Sequence, residues 1–224
     1  MAARPIYDEE LNRLNSELIE MADLVKNALK SSFEVVTEQN VEKAARIARR
    51  DELVNEKERS IETLCMRLIL REQPVASDMR MITAALKMIT DLERIGDQAS
   101  EICILCATLP AGTDLSVFST LAPLSRAVCC QLENTIDAFV AADLDKVREC
   151  MKGDEAVDDL YERTKSDILA HIVEHRGDEN AALDVFMIAK YLERAGDHAV
   201  NIAEWSEYAL TGIHKGHAFY GEEQ

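Results

Sequence analysis

The chain has 224 residues, of which 47% are apolar and 30% charged, with only 8 glycines, 4 prolines and 5% aromatics; this balance points to long helices and little or no β-sheet. Its 42 acids against 25 Lys and Arg give a formal charge of −17, which repels phosphate backbones and anionic lipid, so nucleic acid is excluded as a partner and cations or basic protein patches are favoured. Residues 1–10 lack the apolar core of a signal peptide, and no apolar run approaches the roughly 18 residues needed to span a bilayer, so a cytoplasmic protein without membrane insertion is expected.

Apolar residues at three- and four-residue intervals (Leu11, Leu14, Leu18, Met21, Val25, Leu29, Phe33) predict a first amphipathic helix over about 7–37. The polar patch Glu38-Gln39-Asn40 interrupts it. A second periodic stretch carries Val41, Ala44, Ile47, Leu53, Ile61, Leu64 and Leu68 to about Arg71, and Pro74 ends it. The third runs over about 75–108 through Met79, Ile82, Leu86 and Ile89 to the breaker Leu109-Pro110-Ala111-Gly112-Thr113. The second half repeats the plan, with helices expected at about 114–141, 144–175 and 179–211. Short connections make sequential helices antiparallel neighbours. The expected fold is therefore all-α: two tandem, pseudo-repeated antiparallel three-helix bundles over 1–110 and 111–212, with a frayed, Gly-containing tail over 213–224.

The strongest internal signal is Leu92-Glu93-Arg94-Ile95-Gly96-Asp97, which recurs one hundred residues later as Leu192-Glu193-Arg194-Ala195-Gly196-Asp197. Each copy sets Glu and Asp four residues apart, on one helix face. Glu93 follows Leu86 by a heptad and Glu193 follows Phe186 by a heptad, so both carboxylates fall on the buried stripe, where an unpaired charge is costly. Antiparallel pairing about Pro74 sets Asp51 opposite Asp97 and Asn55 opposite Glu93. Pairing about His175 to Gly177 sets Asp154 opposite Asp197 and Asp158 opposite Glu193. Each hairpin thus brings two i,i+4 pairs together, and oxygen donors of this kind suit Mg, Mn, Fe or Zn ions. Asn55 stands where the second half has Asp158, which makes the C-terminal site the expected stronger one. A structural network of acids with Arg94 and Arg194 is the competing account. Gly96 and Gly196 each cost a mid-helix position about 1 kcal/mol relative to Ala, so a neighbouring helix or an ion is expected to need the missing Cβ volume.

Other candidates carry less. The six cysteines lie in helical patterns without disulfide-scaffold spacing, and Cys103-x-x-Cys106 lacks a second ligand pair, so buried reduced thiols are expected. His171 and His175 share a helix face without a third ligand, and His198 is either an edge ligand beside Asp197 or a surface residue.

The residues Gln73-Pro74-Val75-Ala76-Ser77-Asp78-Met79-Arg80, Ala84-Ala85-Leu86-Lys87 and Asp91 to Asp97 closely resemble a signature helix of the PhoU family, and Tyr191 to Glu204 looks like its second copy. The resemblance implies a cytoplasmic, often homodimeric regulator with multinuclear metal clusters, at Asp51, Glu93 and Asp97 and at Asp154, Asp158, Glu193 and Asp197. It also implies a negative regulator of the phosphate-starvation response rather than an enzyme, with the phosphate ABC transporter ATPase and a phosphate-sensing histidine kinase as partners. The chain shows no nucleophile–base pair, no phosphate-cradling Gly-rich loop and no dinucleotide motif. Two other readings stay open: a di-metal carboxylate enzyme, although the usual Glu-x-x-His is missing, and a metal-free helical scaffold.

Overall fold

The computed structural model describes residues 5–72, 74–175, 177, 179–215 and 217–218. They form α1 (Pro5–Thr37), α2 (Val41–Ala48), α3 (Asp51–Glu72) and α4 (Ala76–Leu105), then α5 (Leu121–Val140), α6 (Leu144–Lys152), α7 (Asp154–Glu174) and α8 (Glu179–Thr211). A single 3-10 turn, Leu115–Val117, precedes α5. The fold is all-α, with two tandem three-helix bundles: α1, α3 and α4 pack together in one, α5, α7 and α8 in the other.

The expected second helix of each half is broken in two. In the first half Arg50 N–H turns back to Ile47 C=O at 2.9 Å before α3 restarts at Asp51. In the second, Gly153 closes α6 and α7 restarts at Asp154. Gly153 marks the latter break, whereas Arg49-Arg50 carries no Gly or Pro signal and was legible only from the structure. The short helices are capped alike: the side chain of Asn40 accepts from Lys43 N–H and that of Asp143 from Lys146 N–H, satisfying an end donor that the helix leaves open. Gln39 and Ala142, just before these caps, both take a left-handed φ, near 51° and 50°. The helix expected to begin near 114 starts only at Leu121.

The two bundles share one core. Ile82, Ile89, Leu92 and Ile95 of α4 and Val185, Ile188, Leu192 and Ala199 of α8 are all buried in the same cluster. α4 and α8 run antiparallel, since Asp91 meets His198, with Asp91 Oδ1 2.9 Å from His198 Nδ1, and Lys87 lies over the Trp205 ring. Asn201 also donates to Asp91 Oδ1 at 3.2 Å. His198 is thus not a free surface residue; its Nδ1 faces Asp91 and ties the halves together, its position about 100° from Asp197 aiming it at α4.

Part of the tail expected to fray is folded. Gly212 turns the chain with φ near +82°, Ile213–His214 pairs antiparallel with His217–Ala218, and His214 stacks on Trp205 with ring centroids 3.9 Å apart. Gly216 and residues 219–224 lie outside the described residues, as do Gln73, Arg176 and Asp178. Among the described residues no helix is long and apolar enough to cross a membrane.

Candidate functional site

The helix breaks place Asp51 and Asp154 at the first position of α3 and α7, where the unpaired N–H groups of a helix start favour negative charge. Asp51 comes close enough to Asp97 for the two to repel: burial first, then Asp97, pushes its carboxyl above the usual range. Asn55 does not reach across to Glu93 but turns along its own helix, donating Nδ2–H to Asp51 Oδ2 at 3.2 Å. The other oxygen, Asp51 Oδ1, is buried with no hydrogen-bond partner.

Glu93 is also pushed up, by burial and then by Asp97. Arg94 covers this pair from the solvent side, with Nη1 3.4 Å from Asp97 Oδ2 and Nε 3.7 Å from Glu93 Oε2. A fourth acid belongs here that sequence reasoning missed. Glu58, one turn beyond Asn55 on α3, feels Asp97 as well as Glu62 and Arg94, and burial raises its carboxyl. The signal was available: Asp51, Asn55 and Glu58 share one helix face at i, i+4 and i+7.

The second cluster repeats this with a change of cast. Asp154 is raised by burial and then by Asp158, with Glu193 adding to the effect and the Gln131 amide opposing it. Burial comes first at Asp197 too, followed by Glu193, Asp154 and Asp158. Asp154 Oδ1, like Asp51 Oδ1, is buried without a partner. The neutralising cation is Lys190, whose Nζ meets both Glu193 oxygens at 2.7 and 2.6 Å and lies over the Tyr161 ring, 5.3 Å from its centroid. In the register that matches Asp51 with Asp154, Tyr161 takes the place of Glu58. The acid lost at Asn55 therefore has a counterpart at Glu58, while Glu204 adds a further carboxylate that acts on Asp154 in the second cluster.

The missing Cβ atoms of Gly96 and Gly196 make room for neighbouring helices. A Cβ on Gly96 would stand 3.3 Å from Asp51 Oδ1 and from Val54 Cγ1; one on Gly196 would stand 3.1 Å from Gln131 Oε1 and 3.2 Å from Val157 Cγ1.

The donor set fits a hard or borderline cation: all oxygen, half-buried, with two orphaned carboxylate oxygens in equivalent places. As the side chains stand, however, no group of three or more His, Cys, Asp and Glu among the described residues is arranged to hold an ion. Arg94 and Lys190 meanwhile occupy carboxylates as ion-pair partners, as the competing acid–arginine account anticipated in part; the second half uses Lys190 where Arg194 was expected.

The remaining candidates fall away from these clusters. His171 and His175 stack, with centroids 4.4 Å apart, and His171 packs edge-on against Phe118. Cys103 and Cys106 are buried, and burial pushes the Cys103 thiol up to about 12, so it stays protonated.

A PhoU domain model matches residues 18–105 and again 121–206, the two halves that carry the two acid clusters. The phosphate-specific transport system accessory protein PhoU homolog of Clostridium acetobutylicum is 31% identical over 210 residues, covering 93% of this chain and 96% of its own length. The Zymomonas mobilis homolog is 34% identical over 206 residues, covering 92% and 87%. The crystal structure of PhoU from Pseudomonas aeruginosa superposes with a TM-score of 0.85 at 28% identity, covering 92% of this chain and all of that one. With both halves matched and the helical architecture shared along nearly the whole length, the chain belongs to the PhoU family.

Proposed function

We propose that this chain is a cytoplasmic, non-enzymatic regulator of phosphate uptake and phosphate-starvation signalling, acting between the ATPase of a phosphate ABC transporter and a phosphate-sensing histidine kinase to repress the response when phosphate is plentiful. The observation that supports this most is the paired PhoU-domain match spanning both acid clusters, together with relatives named as accessory proteins of phosphate-specific transport. The strongly negative chain favours basic protein surfaces as docking partners. Deleting its gene should release phosphate-starvation transcription in phosphate-rich medium, and re-expressing the chain should restore repression. Unchanged transcription and uptake in the deletion strain would end this reading.

Within that role the clusters bind divalent or transition metal ions. Asp51, Glu58, Glu93 and Asp97, with Asn55 at the edge, would hold one group, and Asp154, Asp158, Glu193 and Asp197 the other. Bound cations supply positive charge that offsets the carboxylate repulsion and cross-links each helix hairpin. The chain's own part is to hold the acids half-buried and to release Arg94 and Lys190 from them. Elemental analysis after gel filtration reads this directly: wild type should retain metal, and the variant with Glu93, Asp97, Glu193 and Asp197 all changed to Ala should not. A homodimer is proposed as the assembly, measurable as twice the chain mass by light scattering.

A further inference from the structure

The second cluster continues along α8. Glu193, Asp197 and Glu204 stand at i, i+4 and i+11, which returns Glu204 to within about 20° of the Glu193 direction. A helix side chain leans toward its own N-terminus, and this carries the Glu204 carboxylate back toward Asp197. Its charge reaches Asp154. The side chain is 19% exposed, and its Oε2 is buried without a hydrogen bond. Lys215 Nζ stands 3.0 Å from that oxygen, so the charge is paired while the directional bond is missing.

Lys215 belongs to the C-terminal hairpin, which has little else to hold it. The hairpin pairs two residues with two, Ile213–His214 with His217–Ala218, and an isolated two-stranded ribbon is marginal in water. Lys215 itself takes a left-handed φ near 49°, a conformation unfavourable for a residue with a Cβ. The Lys215–Glu204 pair and the stack of His214 on Trp205 therefore tie the segment to α8. The first half has no such arrangement. Ile104 stands one hundred residues before Glu204 and is 52% exposed, and among the described residues no strand follows α4.

We propose that Glu204 is a further ligand of the second cluster, held in reserve by Lys215, so that metal occupancy there releases the C-terminal hairpin. This rests on the metal reading of the clusters and goes beyond it by tying one of them to a segment that can move. Ions seated among Asp154, Asp158, Glu193 and Asp197 attract the Glu204 carboxylate and repel the Lys215 ammonium, and both forces favour the exchange. Because ion and hairpin draw on one carboxylate, the coupling is reciprocal: the factor by which Lys215 weakens metal is the factor by which metal weakens the docked hairpin. Release uncovers the face of Trp205 on which His214 lies. The first cluster, with Ile104 in that place, lacks the link.

Mn²⁺ calorimetry and hydrogen exchange of segment 212–218, both on the full chain, test this. Glu93→Gln/Asp97→Asn disables the first cluster, so that the second alone reports. Mn²⁺ is expected to speed exchange in 212–218 by about tenfold. It should also move the emission maximum of Trp205, the chain's one Trp, to longer wavelength. Glu204→Gln should weaken Mn²⁺ by about tenfold and leave the hairpin loose with or without the ion. Lys215→Met should tighten Mn²⁺ by a similar factor, a change that a merely structural ion pair would not produce. Mn²⁺ binding with unchanged exchange in 212–218, unchanged affinity in Glu204→Gln, or a weaker site in Lys215→Met would overturn the inference and leave the metal reading standing. Absence of Mn²⁺ binding at the second cluster would overturn the metal reading there, and the inference with it.

Discussion

The Oδ1 oxygen of Asp51 stands 3.3 Å from where a Cβ on Gly96 would lie, so the orphaned carboxylate oxygen and the helix glycine occupy one niche. In the second half the corresponding niche behind Gly196 is filled by Gln131 Oε1, at 3.1 Å. The two glycines therefore differ in what an added methyl group would meet. Gly96→Ala meets the Asp51 carboxyl and the buried Val54, each at 3.3 Å, and the gain in helix propensity offsets part of this, so it should destabilise by no more than about 1 kcal/mol. Gly196→Ala meets the buried Gln131 and Val157 and should destabilise by about 1–2 kcal/mol. Urea unfolding of both variants checks this; a Gly196→Ala protein more stable than wild type would refute the packing account.

The acid clusters make stability depend on pH with an unusual sign. Asp51, Glu58, Glu93, Asp154 and Asp197 all have carboxyl groups raised in the folded protein. The folded state then binds more protons than the unfolded chain between the ordinary values, near 3.8 for Asp and 4.5 for Glu, and the raised ones. Stability from these groups is largest on the acid side of that window and falls as pH rises through it. Metal-free protein should therefore gain stability on mild acidification from neutrality, and Asp51→Asn/Asp154→Asn should flatten the slope. A wild-type slope of the opposite sign, or one the double substitution leaves alone, counts against the clusters as the source.

Glu58 should matter to metal and Tyr161 should not. Glu58→Gln is expected to weaken the N-terminal site by about tenfold, or about 1.4 kcal/mol, whereas Tyr161→Phe leaves the C-terminal site within about twofold. Calorimetry with Mn²⁺ on proteins in which the other cluster has been removed separates the two. Equal affinities for Glu58→Gln and wild type would put Glu58 outside the site.

In the proposed metal-bound state Lys190 and the ion would compete for Glu193, with which Lys190 is paired here. Lys190→Met should cost the metal-free protein about 1 kcal/mol or less, since the pair is partly solvent-screened. It should tighten metal at the second cluster. Thermal melts with and without Mn²⁺ read both effects, and a looser site would show that Lys190 helps rather than opposes binding.

His198 and Asp91 tie the two bundles together. Asp91→Ala leaves His198 and Asn201 without their shared acceptor and should destabilise by about 1–3 kcal/mol. His198→Asn should leave the metal content unchanged. Metal loss in His198→Asn would return that residue to the ligand set.

Helix period, the Leu-Glu-Arg-x-Gly-Asp repeat and antiparallel pairing were local or pairwise patterns, and they suffice for the all-α architecture and for the approach of Asp51 to Asp97 and Asp154 to Asp197. These follow from side chains recurring on one face and from short turns that force neighbours to run in opposite directions. The cations are local, Arg94 and Lys190 each lying three residues from an acid they pair with, whereas the reach of Glu58 to Asp97 depended on the packing of α3 against α4 and the turn of His198 to Asp91 on that of α4 against α8. Those outcomes belong to the tertiary structure because side chains far apart in the chain compete for the same carboxylate oxygens, and only the packed helices decide which of them come within reach.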